Sequence, residues 1–208
     1  MVTPKPRRMS AAGILAAGVL FFCAPSFCRA GDSAARLDGV PNFGKVNDTL
    51  YRGGQPTPAG FAALQKMGVA IVVNFRDESD EIASEKRLVE SLGIKYLGIP
   101  WSGEGLPSNA QLAQFLDLIH ANPQTKIFVH CKRGADRTGV MVAAYRIALE
   151  HAPVSAAVSE MHQYHYAHFL LPHLQRYVDG LPNMLQTAQF SAPAAVPAAV
   201  AAAAVVAP

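Results

Sequence analysis

The chain has 208 residues, half of them hydrophobic and 16% charged, with a formal net charge of +3. Setting aside a non-globular start and end leaves about 140 to 150 residues, the size of one domain with one core, so a second domain is not expected. Lys5, Arg7, Arg8 and Arg29 stand in the first 30 residues with no acid among them; the rest holds 14 basic and 15 acidic side chains, net −1, which leaves no basic excess to suggest a nucleic-acid surface.

The first segment, 1–30, reads as a secretory signal peptide: a basic start, an apolar stretch from Ala11 to Pro25, and small residues three before and one before a cut after Ala30. The stretch is short and interrupted for a membrane span, and Phe22 before Cys23 spoils a lipidation box; an uncleaved anchor is the competing reading. Cleavage places the chain in the periplasm or outside the cell, with no stable membrane insertion. It also removes Cys23 and Cys28, leaving Cys131 with no partner for a disulfide and no resolving thiol.

Asp48–Arg52 and Val69–Phe75 read as strands by their β-branched content. Between them Thr57 as N-cap, Pro58 in the first turn and Gly68 at the end frame a helix with Phe61, Leu64 and Met67 on one face. Asp80–Leu92 predicts a second helix stopped by Gly93, then a strand over Ile94–Ile99. Ser108 and Gln111 form a capping box that opens a third helix with a Leu112, Phe115, Leu116, Ile119 stripe. Lys126–His130 is the central strand, Gly139–Glu150 the helix after it, and Ser155–His162 and His168–Tyr177 complete a helical C-terminus. Strands alternating with helices predict an α/β fold, a central mostly parallel sheet flanked by helices on both faces.

The run His130-Cys131-Lys132-Arg133-Gly134-Ala135-Asp136-Arg137-Thr138-Gly139 carries the chemistry. Five residues between Cys131 and Arg137 suffice to curl the backbone into a bowl of inward N–H groups, with Gly134 and Gly139 supplying unusual dihedrals and Ala135 leading into the helix. The helix that follows aims its positive end at the same spot. Amides, dipole and Arg137 together stabilise a thiolate at Cys131, and the planar fork of Arg137 suits two phosphoryl oxygens. Thr138 is placed to donate its hydroxyl to the sulfur, and His130 to fix the loop from behind.

This run resembles the signature of the cysteine-dependent protein tyrosine phosphatase superfamily, His-Cys-x5-Arg-Ser/Thr-Gly, and more narrowly its compact dual-specificity branch. Leu50 to Pro56, Val72 to Arg76 and His165 to Pro172 look like the opening and closing segments of bacterial members. The resemblance implies a phosphatase domain over residues 42–181, preceded by a linker at 31–41 and followed by an Ala/Pro-rich low-complexity tail at 182–208. It also implies phosphomonoester hydrolysis through a phosphocysteine intermediate, with no cofactor, on a protein phosphotyrosine substrate with broad specificity. The chain is then expected to act as a monomer.

Strand ends in such sheets face one cleft, so Arg76, and Arg52 after the first strand, are candidates for charge around the phosphate, with ordinary surface arginines as the alternative. The leaving oxygen needs a proton. Many relatives carry an aspartate after the strand matching Ile94–Ile99, often in Trp-Pro-Asp; here Pro100-Trp101-Ser102-Gly103-Glu104-Gly105 has none. Asp136, where myotubularin-like lipid phosphatases also have an aspartate, is preferred, and Glu104, between two glycines on a closable loop, is the second candidate; a structural role competes for both. His162, His165 and His168, with His173 beyond, are read as packing rather than metal ligands because Tyr164, Tyr166 and Phe169 interleave. Lys132 and Arg133 suit phosphotyrosine but also phosphorylated inositols or lipids. The string Cys-Lys-Arg-Gly is shared with an atypical eukaryotic subgroup acting on inositol pyrophosphates. A phosphate-binding module without turnover is the remaining alternative, and a rhodanese-like sulfurtransferase is disfavoured by the Arg-Thr-Gly ending.

Overall fold

The computed structural model describes Met1 and residues 36–77 and 79–186; Met1 apart, the expected signal peptide falls outside the described residues, as does the tail from 187 onward. In chain order the elements are β1 (Gly44–Lys45), β2 (Leu50–Gly53), α1 (Pro58–Lys66), β3 (Ile71–Asn74), α2 (Ser79–Ser91), β4 (Lys95–Gly98), α3 (Asn109–Ala121), β5 (Ile127–His130), α4 (Asp136–Ala148), α5 (Val154–Gln163) and α6 (Pro172–Gln186). They form one sheet in the order β1-β2-β5-β3-β4. β2, β5, β3 and β4 run parallel, and only the short β1, which composition does not announce, is antiparallel.

Alternating side chains build a core on each face. Ile71, Val73, Ile127 and Val129 point to one side, where Phe115 of α3, Val140 of α4, Met161 of α5 and Leu174 of α6 cover them. Val72 and Phe128 point to the other, under Phe61 and Leu64 of α1 and Val89 of α2. α4 is buried nearly all round, as the central helix of its layer must be. Thr57 and Ser108 cap α1 and α3 as their sequences predict, Ser108 in a full capping box.

The largest departures from the expected boundaries fall at three places. The residues expected to form a linker are partly built into the fold: Leu37 and Val40 form a bridge, and Gly39 O accepts from Thr57 N at 2.8 Å, which fastens this strap to the start of α1. The last helix begins at Pro172 rather than His168, proline suiting the first turn, and runs to Gln186 because Leu181 is buried and Met184 and Leu185 pack on the core. α4 begins at Asp136, three residues early, so Asp136, Arg137 and Thr138 form its first turn.

Candidate active site

Register places Gly53, His130, Asn74 and Gly98 side by side at the carboxyl end of the sheet. The segments that leave those ends meet there, as open parallel sheets require of their ligand sites. The loop from Cys131 to Ala135 is the centre. Its carbonyls are pulled outward: Lys132 O accepts from Gln55 N at 3.1 Å, Arg133 O from Asn42 Nδ2 at 3.3 Å, Gly134 O from Arg52 NH2 at 3.0 Å and Ala135 O from Gly139 N at 2.8 Å. The amides of Lys132, Arg133, Gly134, Ala135 and Asp136 donate to no acceptor among the described residues. Five adjacent donors without acceptors, at the uncapped start of a 13-residue helix, form an anion cradle.

Gly134 is the one loop glycine that needs its freedom. Its φ is +71°, and a Cβ there would lie 2.3 Å from the Gly53 carbonyl carbon. Gly139, expected to share that task, is instead helical; a Cβ would come within 3.4 Å of Met161 Cγ, so it permits close packing of α4 on α5. Cys131 is a free thiol, 3% exposed, at the floor of a cleft of about 750 Å³. Arg137, Asp136, Lys132 and Arg133 share that floor; Gly103 and Glu104 line one side, and Ala167, Leu170, Leu171 and His173 the other.

Arg137 is held through NH1, which donates to Asp77 Oδ1 at 2.7 Å, to Trp101 O at 3.1 Å and to Phe75 O at 3.4 Å. Those three acceptors come from two strand ends and fix the plane of the guanidinium. Asp136 has both oxygens engaged: Oδ2 accepts from Arg133 NH2 at 2.5 Å and Oδ1 from Ala167 N at 2.9 Å. It ties the loop to the far wall. Glu104 is exposed, and its carboxylate has no partner among the described residues. Gly103 beside it rides over Arg137, where a Cβ would stand 3.6 Å from Cζ.

His130 is fully buried between Phe128 and Phe61, with Nδ1 3.3 Å from the Cys131 carbonyl and Nε2 donating to Glu85 Oε1 at 3.0 Å. Glu85 also accepts from Asn74 Nδ2 at 2.9 Å and from Gln55 Nε2. Burial alone would push this carboxyl up, but the His130 hydrogen bond and charge, then Gln55 and Arg76, hold it below the ordinary glutamate range.

Several expected placements need correction. Arg76 does not line the cleft: its guanidinium reaches Gln55 and Glu81, beside the Glu85 network. Arg52 is entirely buried behind the loop, stacked 3.8 Å from the Tyr164 ring centroid, so it supports Gly134 rather than a ligand; burial lowers its pKa, opposed by Glu160, Tyr164 and Cys131. Thr138 Oγ1 is buried without a hydrogen-bond partner among the described residues, so the expected bond to sulfur is not formed. His162 and His168 pack on each other with ring centroids 5.0 Å apart, and His162 on Tyr166 at 5.6 Å.

Asp77 and Glu85 were not anticipated. Glu85 had a signal: Ile82, Glu85, Val89 and Leu92 recur on one helical face, so a carboxylate interrupts an apolar stripe. Asp77 had only its place after a strand end. The far wall, Ala167 to His173, depends on how α5 and α6 fold back, which local sequence does not state.

A parallel sheet with a Cys-x5-Arg loop at its carboxyl end, opening a helix, is the phosphatase-type α/β fold. Residues 38–172 match the family model described as DSP-PTPase phosphatase fused to NAD+ kinase, and the chain belongs to this dual-specificity phosphatase family. It is 28% identical over 128 residues to Dual specificity protein phosphatase TpbA of Pseudomonas aeruginosa, covering 62% of this chain and 56% of that one. It is also 32% identical over 139 residues to an inositol diphosphatase of Oryza sativa, covering 65% and 66%. The crystal structure of P. aeruginosa TpbA superposes with a TM-score of 0.60 at 25% identity, over 73% of this chain and 94% of that one. A cysteine-to-serine variant of TpbA in complex with pTyr gives 0.62 at 25% identity, over 76% and 99%. The chain thus spans little more than half the length of the TpbA sequence it matches.

Proposed function

We propose that this chain is a cysteine-dependent phosphatase that hydrolyses phosphomonoesters, protein phosphotyrosine foremost with broad specificity, through a phosphocysteine intermediate. The observation that carries the reading is the cradle: five amides without acceptors among the described residues, next to a buried thiol, with Arg137 fixed in the same cleft. The phosphoryl oxygens take the amides and the guanidinium, donors already oriented before substrate arrives. Cys131 sulfur forms a bond to phosphorus as the bond from phosphorus to the ester oxygen breaks, and that oxygen takes a proton. Water then attacks phosphorus and gives its proton to the group that protonated the ester oxygen, the sulfur–phosphorus bond breaks, and inorganic phosphate leaves as the Cys131 thiolate returns.

The geometry supports Glu104 rather than Asp136 as the proton donor. Both Asp136 oxygens accept hydrogen bonds, so protonating it would break a loop contact, whereas Glu104 stands over the cleft on a loop anchored to Arg137 through Trp101 O. Hydrolysis of p-nitrophenyl phosphate by the chain beside its Cys131→Ser variant, with trapping of a phosphorylated Cys131, is the test. Turnover and an adduct are expected; binding of phosphate esters without turnover would make the chain a phosphate-reading module.

A second reading, an inositol polyphosphate or phosphoinositide phosphatase, draws on the Oryza sativa relative and on the exposed Lys132 and Arg133 at the loop. Released phosphate from phosphotyrosyl peptides, phosphoinositides and soluble inositol phosphates separates the two. The leader-like first 30 residues support export to the periplasm or beyond, with the folded unit acting as a monomer; N-terminal sequencing after secretion and sedimentation test both.

A further inference from the structure

Among the described residues from 36 onward, three large hydrophobic side chains are exposed: Leu106 (47%), Phe169 (88%) and Leu170 (79%). Isolated surface hydrophobics need no explanation, but the position of these does. Leu106 stands on the loop whose Gly103 and Glu104 form one side of the cleft, and Phe169 and Leu170 on the segment that forms the other. The Phe169 ring is braced against His168, centroids 3.8 Å apart, so the projecting aromatic has a support. Between these walls lies a floor that carries Cys131, Lys132, Arg133 and Arg137.

We infer that the two walls form a docking surface for a phosphorylated protein segment with bulky apolar side chains on both sides of the phosphorylated residue. This rests on the phosphatase reading above and names the substrate class of that site. The phosphate goes to the basic floor, and the flanking apolar side chains cover Leu106 on one side and Phe169 with Leu170 on the other. The cleft, at about 750 Å³, is wide enough to admit more than a phosphate group. Charge separates this occupant from a bilayer. Glu104, exposed two residues from Leu106, puts a carboxylate beside that wall and opposes insertion of Leu106 into an anionic lipid surface, whereas the floor, with Lys132, Arg133 and Arg137 and with Asp136 paired to Arg133, suits a phosphate group. A soluble inositol phosphate has nothing apolar to offer either wall.

The test compares phosphotyrosyl peptides of equal length and charge carrying Leu or Phe, or else Ser, on each side of the phosphotyrosine. The intact chain is expected to prefer the apolar-flanked peptides at least tenfold in kcat/KM, about 1.4 kcal/mol. A Leu106→Ser/Phe169→Ser variant, whose substitutions lie outside the cleft lining, is expected to bring the preference below threefold and to keep p-nitrophenyl phosphate turnover, which also reports that it is folded. Should the pair not fold, Phe169→Ser alone is expected to cut the preference at least threefold. Peptide affinities of the Cys131→Ser chain give the same comparison without turnover, so a failure of the phosphatase reading and a failure of the docking surface are told apart. Equal handling of both peptide sets by the intact chain, or a preference that survives the variants, overturns the inference. So does loss of the preference together with Phe169-dependent sedimentation on phosphatidylglycerol vesicles, which would make the walls lipid-facing.

Discussion

The floor of the cleft and its two walls are built on opposite plans. The outward carbonyls of the Cys131–Ala135 loop and the histidine before it are fastened: Gly134 O to a buried arginine, Lys132 O to Gln55 N, His130 to Glu85. The walls carry an exposed carboxylate and exposed apolar side chains, with few partners for either. The difference teaches a division of labour. Groups that must meet a transition state are fixed before it forms, because reorganising them during the reaction would raise the barrier. Groups that select a substrate stay accessible to it.

Disrupting the floor should therefore abolish chemistry, and disrupting the walls should redirect it. The largest effect belongs to Cys131→Ser, expected to lower kcat by on the order of 10⁵-fold or more without loss of phosphate-ester binding, read by steady-state kinetics and calorimetric titration. Arg137→Lys follows at about 10²–10³-fold in kcat, since an ammonium cannot reproduce a planar fork held at once by Asp77 and Trp101 O. Retention of wild-type activity by the lysine variant would sink the role given to the fork.

Glu104→Gln should slow a substrate with an alkoxide leaving group about 10²-fold while leaving p-nitrophenyl phosphate much less affected, because nitrophenolate departs without a proton. Asp136→Asn should show no such leaving-group dependence; if it does and Glu104→Gln does not, the acid assignment reverses. Glu85→Gln is smaller still, a loss of about 1–3 kcal/mol of stability at neutral pH by denaturant titration. Its sign with pH follows from the depressed carboxyl. The stabilisation is complete above the ordinary glutamate value of 4.5 and fades as pH falls through the lower folded-state value, so variant and parent should converge in acid. A gap that stays constant down to strong acid would show that Glu85 acts through packing and not through its charge.

Much of this was legible from residue patterns. The β-branched runs became β2, β3, β4 and β5, and Thr57 and Ser108 capped the helices they preceded. The spacing from Cys131 to Arg137 marked the loop, since both ends of the chemistry lie within seven residues of chain. The two misplaced arginines share one cause. Arg52 and Arg76 stand near strand ends, but which way an arginine turns depends on the acceptors that surround it: Gly134 O and Tyr164 for one, Gln55 and Glu81 for the other.

What the sequence determined alone was whatever neighbours along the chain decide: element type, caps, and the glycine that makes Gly134's left-handed turn available. Only the tertiary structure decided which carboxylate is tied down and which stands over the cleft. Asp136 meets Ala167 across 31 residues, Asp77 meets Arg137 across 60 and Glu85 meets His130 across 45. Hydrogen bonds over such separations depend on sheet order and on helices folding back, and no local pattern records them.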